Sequence, residues 1–117
     1  MPFDASCPVC RTAEIVCTKW TLLVVRELAE GRCRFCELER ALTGISPRTL
    51  SVRLRELERE GIVKRTGGAA GSSRRTYALT AKGLDLLPII ADMKAYGERW
   101  LLGDRQGGEV DRQTLAA

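Results

Sequence analysis

The chain has 117 residues, of which 44% are hydrophobic and 29% are charged, and its formal net charge is +4. This length and composition predict one globular domain of ordinary size. The chain contains no histidine, which removes the commonest general base and argues against an enzyme. Because no apolar run is long enough to cross a bilayer and the start lacks a signal-peptide pattern, we expect a cytoplasmic protein with no membrane partner.

Residues 35–42 are the first segment with a clear helical pattern, because Phe35, Leu38 and Leu42 fall on one side. A three-residue connection that contains Gly44 follows, and a second helical pattern begins after it. Two helices joined by a short glycine-containing turn form the helix-turn-helix pattern.

The second helix of this pattern begins at Ser46, a preferred N-cap residue, and Pro47 suits the first helical position. Leu50, Leu54 and Leu57 recur at spacings of three and four, which predicts one buried face. The other faces carry arginines and short hydroxyl side chains, which fit phosphates and guanine edges. These residues are Arg48, Thr49, Ser51, Arg53, Arg55 and Arg59. The alternative is an ordinary amphipathic helix with a solvated charged face.

A basic hairpin is predicted after this helix, which Gly61 ends. Residues 62–66 and 75–79 have the pattern of two short strands around a Gly/Ser-rich tip, residues 67–73. Between Ser46 and Thr76 there are eight basic and three acidic side chains, a local balance of +5. This concentration of charge indicates a polyanionic partner.

A long final helix is predicted to begin after Thr80, a plausible N-cap. Two apolar stripes follow, which exceeds what one small domain needs and favours a partner for one of them. The stripe assigned to a dimer interface is Leu86, Ile89, Met93, Tyr96 and Trp100. The alternative is a single core-facing stripe with a kink at Pro88.

Dispersed residues along most of the chain form one further pattern. They are Cys7-Pro8-Val9, Lys19-Trp20, Gly31, Arg34-Phe35, Glu37-Leu38, Gly44-Ile45-Ser46, Leu50, Leu54 to Glu58, Gly61-Ile62-Val63, Arg65-Thr66, Tyr77, Leu79-Thr80, Gly83 and Leu86-Leu87-Pro88. In these residues, and over residues 7–101, the chain resembles the HxlR-type winged helix-turn-helix transcriptional regulators of bacteria and archaea, relatives of the MarR type.

The resemblance implies an α+β, mainly α fold: a winged helix-turn-helix domain with a small β-hairpin wing and N- and C-terminal dimerisation helices. It also implies a homodimer on double-stranded operator DNA, with a first helix over about residues 8–18 that contributes to the dimer. The start at Pro47-Arg48-Thr49 departs from the glutamine-containing version usual in the family, so the operator sequence does not carry over. The wing tip lacks the family's prolines, and we expect it to be mobile without DNA.

Five cysteines allow three interpretations. Cys7, Cys10, Cys33 and Cys36 form two Cys-x-x-Cys pairs, which is typical of a zinc site, although the gap between the pairs is longer than usual. Several regulators of the resembled family respond to oxidants or electrophiles through a cysteine at the position of Cys7, which implies a thiol switch with Cys10 as the resolving thiol. The third interpretation is that Cys17 and the second pair are small buried residues.

The sequence therefore predicts a homodimeric, sequence-specific DNA-binding regulator, a repressor on a palindromic operator, that cysteine oxidation or electrophile modification controls. Arg48, Thr49, Ser51 and Arg53 are the candidates for base contacts, and Lys19, Arg55, Arg74 and Arg75 for phosphate or wing contacts. The domain is assigned to residues 1–103 and a flexible tail to 104–117. The rivals are a winged-helix protein-interaction module, a zinc-binding regulator and, more weakly, a thiol-disulfide oxidoreductase.

Overall fold

The computed structural model describes residues 5–69, 72 and 74–102, which contain a series of helices and one antiparallel hairpin. The predicted tail and part of the wing tip lie outside these residues. Residues up to Leu86 form one compact unit, and those from Leu87 onward form a second. No helix in the described ranges is long and apolar enough to span a membrane. The elements are α1 Pro8–Val16, α2 Thr21–Ala29, α3 Phe35–Ala41, α4 Pro47–Arg59, β1 Val63–Gly67, β2 Thr76–Leu79, α5 Ala81–Leu84, α6 Leu87–Gly97 and a π-helical segment, Glu98–Leu102.

One face of each of α2, α3 and α4 forms the core of the first unit. The leucines predicted to form the buried face of α4 are 0–3% exposed, so that prediction is confirmed. Full burial of such a side chain is worth about 1.5–3 kcal/mol relative to leaving it in water. The buried apolar residues are Leu22, Val24, Val25, Leu28, Phe35, Leu38, Leu42, Ile45, Leu50, Leu54, Leu57, Ile62, Val63 and Tyr77.

The turn between α3 and α4 has the predicted chemistry. Gly44 adopts a φ of +94°, in the left-handed region that glycine enters without a steric penalty. The Ile45 side chain after it is buried in the core. Ser46 caps α4, since its Oγ accepts a hydrogen bond of 3.0 Å from the Thr49 N–H, and Pro47 takes the first helical position. Together the turn and the cap fix where α4 begins.

The hairpin follows α4 directly and is tied to the chain before α3. β1 and β2 pair antiparallel, with Val63 opposite Leu79 and an irregularity between Arg65 and Gly67. The Tyr77 N–H donates to the Cys33 carbonyl at 2.9 Å, and the Phe35 N–H donates to the Arg75 carbonyl at 3.1 Å. Residues 33–35 therefore pair with the second strand of the hairpin through backbone hydrogen bonds, which attach the base of the hairpin to the start of α3.

α5 is joined closely to the C-terminal end of α4. The Thr80 hydroxyl donates to the Ile62 carbonyl at 3.1 Å, and the Lys82 ammonium donates to the Glu60 carbonyl at 2.6 Å. A Cβ atom on Gly83 would lie 2.2 Å from the Ile62 carbonyl oxygen, so only glycine permits this approach. Carbonyls of residues 60–62, directly after α4, thus find donors at the start of α5, which joins the two segments.

The prediction of one long final helix is wrong, because the structure has two separate helices, α5 and α6, in this segment. Thr80 is an N-cap as predicted and accepts a hydrogen bond from the Gly83 N–H at 3.1 Å, but α5 ends at Leu84. A new helix, α6, begins at Leu87. Pro88 explains the interruption, because proline lacks the N–H that would bond to the Leu84 carbonyl and its ring clashes with that carbonyl in a continuous helix.

Candidate nucleic-acid interface

The front of α4 presents two arginines to solvent. Arg48 and Arg55 are both exposed, and neither forms an ion pair with a carboxylate of the described residues. Thr49 lies beside Arg48, and its Oγ1 accepts a hydrogen bond of 2.9 Å from the Ser46 hydroxyl. Two unpaired guanidinium groups next to short hydroxyls are chemically suited to phosphate oxygens and guanine edges.

Arg53 has a different environment from the other arginines of α4. Its Nη1 forms an ion pair with Glu56 one turn later, the side chain is 30% exposed, and its Nε is buried without a hydrogen-bond partner. Arg53 also lines a cavity of about 910 Å³ between α1 and the C-terminal part of α4. The structure therefore places this predicted base contact on a flank of α4 that faces α1, with its charge engaged by a carboxylate.

Arg75 was predicted to contact phosphate, but its side chain is buried, at 7% exposure. The guanidinium lies 4.0 Å from the centre of the Phe35 ring, and its Nη2 donates to the Ser51 Oγ at 2.8 Å. Burial raises the pKa of the neighbouring Tyr77, and the positive charge of Arg75 opposes that rise. Strand alternation could have indicated this burial, since Arg75 and the buried Tyr77 are two residues apart and point to one face.

The base of the wing adds exposed positive charge. Lys64 and Arg65 of β1 and Arg74 before β2 are all exposed. The Arg74 N–H donates to the Ser72 Oγ at 3.0 Å, which shapes the return from the tip. The wing tip, residues 67–73, is expected to be mobile without DNA. Three of its residues, 70, 71 and 73, lie outside the described residues.

Lys19 lies just before α2 rather than inside it. Its side chain is exposed, and its Nζ sits 4.7 Å from the centre of the Trp20 ring. The hydroxyls of Thr18 and Thr21 are 2.6 Å apart and close the turn that leads into the helix. A cation held over an aromatic ring keeps its charge and its donors, so Lys19 retains the chemistry of a phosphate contact.

Cys7 is the N-cap of α1, and its position favours the thiolate. Its Sγ accepts a hydrogen bond from the Cys10 N–H at 3.2 Å, and the side chain is half-exposed. Hydrogen bonding by the Cys10 side chain, and then by its backbone N–H, lowers the pKa of the Cys7 thiol below its usual value. A thiol with a lowered pKa and solvent access is the form that reacts with oxidants and electrophiles.

The structure does not assemble the alternative zinc site. In residues 5–69, 72 and 74–102 no three Cys, Asp or Glu side chains are arranged to hold a metal ion, and these ranges contain all five cysteines. Cys7 and Cys10 belong to the start of α1, whereas Cys33 precedes α3 beside β2 and Cys36 lies in its first turn. The four-cysteine prediction is therefore not supported.

The second unit carries four of the five residues of the stripe predicted to pair subunits, and the fifth, Leu86, ends the first unit. No residue of α6 is buried in the single chain, although most of its side chains are apolar. Met93 and Tyr96 are 51% and 57% exposed, and Ile89 is 37% exposed. Leu86 and Trp100, the other two residues of the stripe, are half-buried. An uncovered apolar helix of this kind is typical of a protein interface.

Comparison with known proteins adds sequence and structural similarity over most of the chain. The profile of the HxlR-like helix-turn-helix family matches residues 15–105. The chain is 39% identical over 95 residues to the HTH-type transcriptional regulator sll1512 of Synechocystis, which covers 81% of this chain and 70% of that protein. It is 41% identical over 91 residues to YvaP of Bacillus subtilis, also an HTH-type transcriptional regulator, over 78% of this chain and 84% of YvaP.

A solved structure with a similar fold is the redox regulator HypR. Its reduced form gives a TM-score of 0.71 at 35% identity, over 80% of this chain and 92% of that one. Its oxidised form gives a TM-score of 0.70 at 36% identity. The similarity therefore includes a protein that has been captured in two redox states.

Proposed function

Because the chain belongs to the HxlR-like helix-turn-helix family, we propose that it is a homodimeric, sequence-specific DNA-binding repressor. The chain is a helix-turn-helix transcriptional regulator rather than an enzyme, as its family and the named members of that family are. The observation that carries the proposal of sequence-specific DNA binding is the exposed front of α4, where Arg48 and Arg55 have no carboxylate partner among the described residues.

In this proposal α4 enters the major groove, and residues near its N-terminus reach base edges. Arg48, Thr49 and Ser51 occupy that end of the helix, so they are assigned to base contacts. Arg55, one to two turns further on, is assigned to a phosphate. Arg53 is the weakest of the original candidates, because Glu56 already neutralises its charge.

The other proposed phosphate contacts lie outside α4. Lys19 and Arg74 are exposed cations. In the sequence Lys19 precedes the helix-turn-helix pair, just before α2, and Arg74 follows it, at the base of the wing. Arg75 is proposed to act from its buried position rather than by direct contact. Phosphate contacts of this kind orient a protein on DNA without reading its sequence.

In vitro selection tests the proposal directly. The purified, reduced protein is incubated with a random pool of duplexes, and bound DNA is amplified and sequenced. We expect an inverted repeat with half-sites about one helical turn, roughly 34 Å, apart, because a two-fold dimer places its recognition helices at that spacing. A pool that stays random after repeated rounds would contradict sequence-specific binding.

We also propose that oxidation of Cys7 controls DNA binding. The lowered pKa of Cys7 and its contact with Cys10 support this, as does the similarity to a redox regulator. An oxidant takes two electrons and two protons from the two thiols, and a Cys7–Cys10 disulfide forms. The new bond would change the N-terminal turn of α1, whose first backbone N–H groups the Cys7 Sγ now caps.

The thiol proposal is tested by treating the selected protein–DNA complex with diamide, which supplies the oxidant. We expect operator affinity to change and dithiothreitol to restore it. Cys7→Ser should abolish the response, whereas the matched variant Cys17→Ser, which removes an exposed thiol at the other end of α1, should keep it. A full diamide response in Cys7→Ser would remove Cys7 from the mechanism.

A further inference from the structure

Arg75 is a buried cation whose charge no neighbouring carboxylate neutralises. The four ion pairs found among the described residues use Arg26, Arg32 and Arg53. Burial of a charged group is costly unless other contacts compensate for lost hydration. Here the compensation comes from the Phe35 ring at 4.0 Å and the Ser51 Oγ at 2.8 Å, while the buried Nε of Arg75 has no partner. The positive charge therefore remains unbalanced directly behind α4.

The contact with Arg75 determines what the Ser51 hydroxyl can do. A serine hydroxyl carries one hydrogen and two acceptor lone pairs, and an arginine can only donate. The Ser51 oxygen therefore accepts from Arg75, and the hydroxyl hydrogen remains available. No described residue accepts that hydrogen, and Ser51 is half-exposed on α4. Donation from a cation also polarises the O–H bond, which makes it a stronger donor.

Without this contact Ser51 would have another hydrogen-bond partner. A serine inside a helix commonly turns its hydroxyl toward the backbone carbonyl four residues earlier, which for Ser51 is that of Pro47. The hydrogen would then be used within α4 and would not reach a groove. An arginine that holds the serine oxygen from behind favours the rotamer in which the hydrogen points away from the core.

We propose that Arg75 is a positioning residue that holds the Ser51 hydroxyl as an oriented hydrogen-bond donor to DNA. The acceptor is an electronegative atom of the duplex, either a phosphate oxygen or the N7 atom of a purine in the major groove. This inference rests on the proposed function, because it assigns a mechanism to one of its base-contact candidates. It also assigns the buried arginine a role in recognition that does not require it to touch DNA.

A double-mutant cycle tests the coupling between the two residues. Arg75→Met, Ser51→Ala and the double variant are titrated by fluorescence anisotropy with the duplex that the wild type selects from a random pool. We expect each single variant to weaken binding roughly tenfold, as for the loss of a charge-assisted hydrogen bond. The double variant should also lose roughly tenfold rather than a hundredfold, because both changes remove the same donor.

The matched control is Arg74→Met, which removes the exposed arginine next in sequence; among the described residues the Ser51 hydroxyl is hydrogen-bonded to Arg75 and not to Arg74. Its loss should multiply with that of Ser51→Ala. If Arg75 had only a structural role, its penalty would be the same in the presence and absence of the serine hydroxyl, and that result would overturn the proposal. Thermal melting establishes that each variant is folded. If Arg75→Met does not fold, Arg75→Lys replaces it, since an ammonium cannot stack flat on Phe35 and also reach Ser51.

Modified duplexes identify the acceptor. If a single methylphosphonate abolishes the coupling, the acceptor is a phosphate oxygen, and if a single 7-deazapurine does so, it is a purine N7. Coupling that persists on every modified duplex would contradict donation to DNA. A wild type that selects no duplex would instead contradict the proposed function itself, whereas a wild type that binds while the cycle is additive would contradict only the role of Arg75.

Discussion

Arginines that look alike in the sequence have three different environments in the structure. Arg48 and Arg55 are exposed and have no carboxylate partner among the described residues, Arg53 is paired with Glu56, and Arg75 is buried against Phe35. The first environment leaves five guanidinium donors for a ligand, the second uses part of them, and the third fixes them inside the protein. Residue type and net charge therefore predict that a surface binds a polyanion but do not identify the side chains that touch it.

The different environments of Arg48 and Arg55 predict different effects of removing them. Arg48→Ala should cost about 1–3 kcal/mol of operator affinity and relax the preference at one base pair, since a bidentate contact to guanine would be lost. Arg55→Ala should weaken binding to all sequences and reduce the slope of log affinity against log salt by about one unit. Both effects are measured by anisotropy titrations over a series of salt concentrations.

The control for these variants is Arg11→Ala, which removes the same charge from α1, where Arg11 lines the cavity behind α4. It should leave the base preference unchanged. Retention of full affinity and specificity by both Arg48→Ala and Arg55→Ala would show that α4 does not read the operator.

The lowered pKa of Cys7 predicts how its reactivity depends on pH. Only the thiolate is alkylated, so iodoacetamide should modify Cys7 with a midpoint below the usual pKa of a cysteine. A group whose pKa is depressed on folding stabilises the native state above its unfolded pKa, and this contribution is lost as pH falls through the folded pKa. Mass spectrometry of alkylated peptides over pH 5–10 measures the midpoint.

Unfolding the protein in guanidinium should return the midpoint of Cys7 alkylation to the usual range, because the contacts with Cys10 that lower it are then broken. The peptide that contains Cys7 and Cys10 is separated from the others before the comparison. A midpoint in the native protein at or above that of the unfolded protein would exclude an activated Cys7 thiolate.

At the scale of elements, the residues predicted to cap helix N-termini do so in the structure, because capping depends on the local sequence. Ser46 and Thr80 are N-caps as the sequence predicts, because a cap requires only a side-chain oxygen three residues before a backbone N–H. The prediction of a single long final helix was wrong near Pro88. The apolar periodicity continues across this position, but proline interrupts a helix. The burial of Arg75 against Phe35 and Ser51 depends on contacts between distant segments, which periodicity does not contain.

The junction between α4 and α5 predicts a strong effect at one glycine. Gly83→Ala would place a Cβ atom 2.2 Å from the Ile62 carbonyl oxygen, so α5 must move away from the end of α4. We expect a loss of at least about 2 kcal/mol in the free energy of unfolding, in the range of overpacked sites. Urea denaturation followed by circular dichroism measures it.

The matched substitution is Gly97→Ala at the end of α6, where nothing among the described residues lies within 4 Å of the added methyl group. Alanine should be neutral or stabilising there by up to about 1 kcal/mol, because it has the higher helix propensity. If the two substitutions had equal effects, the close approach of α5 to α4 would be wrong.

At the scale of the whole molecule, charge and apolar surface lie in different parts of the chain. The excess of basic residues falls between Ser46 and Thr76, whereas the uncovered apolar side chains lie mostly in α6 and the π-helical segment. Charge along a sequence can be counted directly, so this part of the site was predictable. How two copies would pair depends on contacts between chains, which the charge and apolar pattern of one sequence do not contain.

Because the exposed apolar residues lie outside the basic segment of the sequence, the dimer can be disrupted without changing any residue that is proposed to touch DNA. Met93→Arg combined with Trp100→Ala should give a folded monomer, since Met93 is 51% exposed in the single chain and a charge there is costly only when a partner covers it. Operator affinity should fall by about 100-fold or more, because two linked half-site contacts become two independent ones. Sedimentation and anisotropy titrations measure the two properties on the same samples.

The control substitution for the dimer is Asp92→Ala, which changes the exposed polar neighbour of Met93 on α6 and should leave both properties unchanged. Thermal melting distinguishes a folded monomer from an unfolded chain. A double variant that stays dimeric at micromolar concentration would place the interface elsewhere. A monomer that keeps full operator affinity would show instead that a single α4 and its wing are enough for recognition, so the two-fold operator would no longer be required.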